Sequence, residues 1–127
     1  MNRFLTALAV LAFVALLTVP AFAATETVTG QVIDRSCYTM NKANTGVDHQ
    51  MPKGETKDCA IDCAKKGRPL AILTSDGKVY TIAGALAAEN NAKLVAHVSH
   101  TVAITGDVVT KDGAMTITAD ALKMISR

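Results

Sequence analysis

The chain has no tryptophan, and Tyr38 and Tyr80 are its two tyrosines; aromatic residues make up 4% of its 127 positions. Stacking platforms for bases or sugar rings are therefore poorly supplied. It also lacks an excess of either charge: 13 Lys and Arg face 11 Asp and Glu, a formal net charge of +2. Such a balance gives no support to a nucleic-acid or membrane-surface partner. The sequence carries no Ser-His-Asp order, no phosphate loop, no C-x-x-C-H haem site and no H-E-x-x-H pair, the patterns by which common hydrolytic, nucleotide and haem chemistry announce themselves. A non-enzymatic protein is expected. Cysteine is scarce too, with three in the chain, and that odd number turns out to be its most informative feature.

The compartment comes first. Asn2 and Arg3 form a short, singly positive head, Phe4 to Val19 is almost wholly apolar, Pro20 breaks it, and Ala21-Phe22-Ala23 is a small-x-small cleavage site. This is the order of a secretory signal peptide. The alternative is a transmembrane anchor, but the apolar run is shorter than the roughly 20 residues a span needs. Residues 1–23 are therefore expected to be removed, leaving residues 24–127 as one domain, periplasmic or secreted, with no stable membrane insertion after cleavage. Losing Arg3 with the leader lowers the net charge from +2 to +1. About 100 residues suffice for a single core.

Strand and turn signals then follow one another. Thr27 to Ile33 alternates and is β-branched, with Val28 and Val32 on one face and Gly30 marking a bulge or bend. Tyr38 to Glu55 reads as a long polar loop, a length uncommon in compact domains unless it is functional. Thr56 is the expected N-cap of a short helix that Lys65, Lys66 and Gly67 end. Leu70 to Thr74 and Lys78 to Ile82 are strands joined by the hairpin signal Ser75-Asp76-Gly77. Ala83 to about His97 is alanine-rich and is expected to form a second helix, weakened at Asn90-Asn91. Thr101 to Thr110 is a strand with Val102, Ile104 and Val108 on one face; Lys111-Asp112-Gly113 turns it into a last strand bearing Met115, Ile117 and Ala119. The expected fold is mainly β: a five-stranded OB-fold-like barrel. A short cysteine-bearing helix is inserted between its strands one and two, and a second helix lies between strands three and four.

Cys59 and Cys63 are four apart on the first helix and project from one face. The start of a helix favours a thiolate. A bond between these two is disfavoured, because an intact helical turn holds their Cα atoms near the limit of disulfide reach. Cys37 follows strand one, and the loop can return it to the helix. An odd thiol in an exported chain needs a reason to persist, and three readings are open. Cys37 bonds to Cys59 or Cys63 and staples the loop, adding roughly 3 kcal/mol. Alternatively, all three thiolates bind a soft metal, zinc or copper(I), with a histidine or methionine as fourth ligand. In the third reading the helix pair exchanges thiols or handles copper. His49 is the leading fourth ligand. Met51 and Met40 lie in the same stretch, and His97 and His100 are secondary candidates. Metal binding through Cys37, Cys59, Cys63 and His49 is the function expected; a stapled OB-like binding module is the alternative. The ligand or protein partner of such a module stays unnamed.

These residues resemble a group of small exported bacterial domains of unknown function. The shared frame is Gly30-Gln31-Val32-Ile33-Asp34-Arg35-Ser36-Cys37, then Cys59-Ala60-Ile61-Asp62-Cys63 running on to Gly67 and Pro69. Asp76-Gly77-Lys78-Val79-Tyr80, His97-Val98 and Val102-Ala103-Ile104-Thr105-Gly106 complete it. The resemblance spans most of residues 24–127 and implies an OB-like barrel with a three-cysteine corner and no settled activity. The chain departs from the frame at Thr56, where many such domains carry a histidine. His49 would have to take that place, or the site has three protein ligands. A looser likeness, in spacing alone, is to periplasmic copper-delivery proteins with a C-x-x-x-C pair and a distant histidine.

Overall fold

The computed structural model describes residues 23–47, 49–50, 56–57 and 59–127, with backbone alone at 49–50 and 56–57. The leader reading of residues 1–23 rests on positions that, Ala23 apart, lie outside them. Among the described residues no helix is long and apolar enough to cross a membrane.

The architecture grows from one long strand. β1 (Ala24–Asp34) pairs antiparallel with β6 (Thr101–Lys111) from Ala24 opposite Val108 to Gln31 opposite Thr101. At Gln31 it also takes up β4 (Leu70–Leu73), ending with Asp34 opposite Leu70. β4 pairs with β5 (Val79–Ala83), β5 lies parallel to β7 (Ala114–Thr118), and β7 returns antiparallel to β6. The circuit β1-β4-β5-β7-β6-β1 closes a five-stranded mixed barrel, the OB-like fold expected. The strand extends further than Thr27 to Ile33 at both ends.

Gly30 marks the change of neighbour. A Cβ there would lie 2.6 Å from Ile72 Cγ2 and 2.7 Å from the Leu73 carbonyl carbon. The two strands approach so closely that only glycine fits, as at the corner of a small barrel. Val28, Val32, Ile72, Ile82, Val102, Ile104, Val108 and Ile117 point into the core, as their alternation requires. The hairpin at Ser75-Asp76-Gly77 forms, with Gly77 at φ 85° and Thr74 N–H donating to Lys78 O at 2.9 Å. Asp112 and Gly113, at φ 51° and 77°, make the turn with two positive φ values that suits the twist of a tight hairpin.

Four expectations are corrected. The polar stretch after β1 is not one loop, because Arg35–Met40 forms helix α1 and His49–Gln50 (β2) pairs with Thr56–Lys57 (β3). Thr56 is therefore in a strand and not an N-cap, and the cysteine helix α2 begins at Cys59 (Cys59–Lys65). Residues 83–97 are not one helix. A 3₁₀ turn over Gly84–Ala87 leads to the kinked α3 (Ala88–Asn91), then another 3₁₀ turn over Val95–His97. Glu89, Asn90 and Asn91 take φ values of 53°, 54° and 60°, a left-handed path that asparagine tolerates and that outweighs the helix propensity of the alanines. Leu86, Leu94 and Val98 from this segment still join the barrel core. Finally, β8 (Leu122–Ser126) adds a sixth strand, pairing with Thr101–Ile104 of β6.

The close approach at Gly30 predicts the cost of filling it. Gly30→Val should destabilise the fold by about 1–3 kcal/mol through overpacking. An equivalent change at Gly46, where nothing lies within 4 Å and the backbone is not left-handed, should not reproduce the clash. Urea denaturation of the two variants makes the comparison, and equal losses would contradict the corner assignment.

Candidate metal centre

Each cysteine reaches the site by a different local cause. β1 ends at Asp34, which is fully buried. Its Oδ1 accepts from Ser36 N–H at 2.9 Å and Cys37 N–H at 3.0 Å, so the strand turns directly into α1 with an aspartate cap. Cys37 thus sits in the first turn of α1 and is buried. Its carbonyl accepts from Asn41 N–H at 2.9 Å and the buried Asn44 Nδ2 at 3.3 Å, which fixes the helix end.

α2 is held at both ends. Ala60 N–H donates to Val47 O at 3.4 Å at its start. At its end Gly67 N–H donates to Ala64 O at 2.9 Å and Arg68 N–H to Cys63 O at 3.0 Å, with Gly67 at φ 78°. This is the Schellman closure that Gly67 foreshadows. Ala60 and Ala64 are fully buried against the core, and their small side chains let the helix lie close to the barrel. Cys59 and Cys63 occupy the adjacent stripe and are half-buried.

A residue that sequence reading undervalued completes the support. Asn91 is buried, and its Nδ2 donates to Ala64 O and Arg68 O, both at 2.9 Å. Asparagine at this point would weaken a continuous helix; it is instead a clamp on the carbonyls that end α2. The left-handed backbone of residues 89–91 delivers it.

The result is a compact sulfur cluster. The Sγ atoms of Cys37, Cys59 and Cys63 all lie within 4.8 Å of one another, and Cys59 and Cys63 are 3.9 Å apart. All three thiols are free, so the staple between Cys37 and Cys59 or Cys63 is not formed. A tetrahedral zinc with Zn–S of about 2.3 Å places its sulfurs about 3.8 Å apart. The three cysteines are therefore close enough to hold a metal ion, and soft thiolates fit zinc or copper(I).

Electrostatics describe the empty-handed cost of this arrangement. Burial, then the charges of Asp34, Cys59 and Cys63, push the Cys37 thiol up to about 12. Burial, then the hydrogen bond and charge of Cys59, then Asp34, push Cys63 up to about 11. Every contribution named for these two thiols raises them. Without a cation Cys37 and Cys63 keep their protons; a cation relieves the same repulsion.

The other candidates fall differently. Met40 ends α1 and is 76% exposed, pointing away from a buried site. His97 and His100 pack edge to face with each other, ring centroids 5.8 Å apart, and do not join the cysteine group. The backbone of His49 pairs with Lys57, two residues before Cys59; its side chain, and all of Met51, lie outside the described residues. Comparison of the chain with protein-family models, curated proteins and solved structures finds no match.

Two predictions follow from this geometry. Asn91→Ala and Asn90→Ala share the cost of a left-handed alanine, and Asn91→Ala, which also strips the donor from two carbonyls, should cost about 1–3 kcal/mol more, as read by thermal denaturation. The second concerns pH. Cys37 and Cys63 bind protons more tightly folded than the roughly 8.5 expected unfolded, so their contribution is complete below about pH 8.5. It is lost as pH rises through about 11 and 12. The metal-free protein should lose stability across that window, and a Cys37→Ser, Cys63→Ser double variant should lose distinctly less.

Proposed function

We propose that the chain is an exported, non-enzymatic domain that binds a thiophilic metal through Cys37, Cys59 and Cys63. The carrying observation is that three Sγ atoms from two helices converge within 4.8 Å with no disulfide between them. Zinc and copper(I) are the cations whose chemistry suits the set. The leader-like residues 1–23 and the likeness to small exported domains support the exported location. The site lies where a strand end and a tethered helix meet, which supports a closed centre more than a catalytic one.

Thiol exchange is the weaker reading. An exchanging cysteine needs a low pKa and access, whereas Cys37 is buried and both Cys37 and Cys63 hold their protons to high pH.

The test is native mass spectrometry and denaturation of protein recovered from a periplasm without chelator. One metal ion and three alkylation-protected thiols are expected. Free metal at a hundred times its Kd should add about 2.7 kcal/mol of stability. A triple Cys→Ser variant should neither carry metal nor respond to it. A metal-free wild type with one disulfide and one free thiol would make the cysteines structural and move the search for function to the barrel surface.

A further inference from the structure

Among the described residues, one buried polar atom without a partner lies close to the cysteines. Asp34 is fully buried, and its Oδ1 is occupied by the cap to Ser36 and Cys37. Its Oδ2 is buried as well and has no hydrogen-bond partner. A buried carboxylate oxygen left unpaired is rare in folded proteins and calls for an ion or a water. The carboxylate lies close to the cysteines: its Oδ1 accepts from the Cys37 N–H, and its charge acts on both Cys37 and Cys63.

We propose that Asp34 Oδ2 is the fourth donor of the centre, which makes it a three-cysteine, one-aspartate site selective for zinc over copper(I). The inference rests on the reading of the three cysteines as a metal site. Zinc takes carboxylate oxygen at about 2.0–2.2 Å alongside thiolate sulfur. Copper(I) prefers sulfur and gains little from a hard oxygen. Asp34 is not among the atoms that all lie within 4.8 Å of one another. Ligation therefore draws the sulfurs together toward the roughly 3.8 Å of a tetrahedral site and brings Oδ2 in with them, while Oδ1 stays on the cap. One side chain would then end the strand, start the helix and bind the ion. A fourth protein ligand also leaves no open position for a reacting water, the pattern of a structural zinc site.

Asp34→Asn separates ligation from folding, because an asparagine is as good a cap as aspartate but supplies no anionic oxygen. Wild type, Asp34→Asn and His49→Gln are each titrated with zinc, cobalt(II) and copper(I) against chromophoric chelators. The expected result is zinc affinity at least tenfold weaker in Asp34→Asn, with changed cobalt(II) d–d bands. Copper(I) affinity should stay within about threefold, and His49→Gln should match wild type. In carbon-13-labelled wild type the Asp34 carboxyl resonance should move on adding zinc and not on adding copper(I), a readout that needs no variant to fold. Unchanged zinc binding in Asp34→Asn, an equal loss of both metals, a loss confined to His49→Gln, or a static Asp34 resonance would each overturn the assignment. A wild type that binds neither metal would instead overturn the three-cysteine reading itself.

Discussion

The structure depends on one strand serving two neighbours. β1 is paired with β6 along most of its length and with β4 at its end, and the change occurs at Gln31, next to a glycine that no larger residue can replace without displacing Leu73. This double pairing closes the barrel. It also decides where β1 stops: at Asp34, opposite Leu70, on the rim of the closed circuit. Because Asp34 caps α1 there, Cys37 is placed by the barrel itself and not by a loop. The chemistry of the rim is thus inherited from the closure of the sheet.

The second half of the site is brought to the first at some local cost. α2 has only seven residues, too few to be stable alone, and its stability must come from its contacts. Two alanines bury one face, a Schellman turn ends it, and Asn91 holds its last carbonyls from across the fold. Three consecutive left-handed residues are spent to aim that asparagine. Left-handed backbone is unfavourable by roughly 1–2 kcal/mol per ordinary residue, so the segment is strained in order to fix the helix. Strain of this kind persists where surrounding structure over-determines it, and here the surrounding structure is the core made by Leu86, Leu94 and Val98.

Much of this was legible in the residues. Alternation at Val28 and Val32 and at Val102, Ile104 and Val108 fixed which faces are buried, and paired turn residues fixed two hairpins. Gly67 and the i, i+4 cysteines located the helix end and the sulfur face. The misreadings have specific physical causes. Thr56 has the chemistry of an N-cap, but pairing with Gln50 in a two-residue ladder claims its backbone first. The alanines of residues 83–92 favour helix, yet the tertiary demand on Asn91 overrides local propensity. β8 is mostly exposed and so carries little alternation to read. Asp34 offered a usable signal, since an aspartate two and three residues before the N–H groups of a new turn is a cap pattern. A strand ending and a helix beginning on one residue hid it.

The odd cysteine count finds its reason in this geometry. A disulfide joins two sulfurs at about 2.05 Å and gives nothing to a third. Cys59 and Cys63 stand at 3.9 Å on one helical face. Drawing those two together would distort the turn that buries Ala60 and Ala64. Drawing Cys37 to either would leave the remaining thiol without a partner near the buried Asp34. Every two-sulfur solution therefore strands one partner of the cluster. On the proposed reading a single cation of tetrahedral habit engages all three at spacings close to those the helices already impose. It would also neutralise the repulsion that raises Cys37 and Cys63. On the proposed reading the unpaired cysteine is not left over from a disulfide scheme; three is the number that this rim, with its buried carboxylate alongside, is built to use.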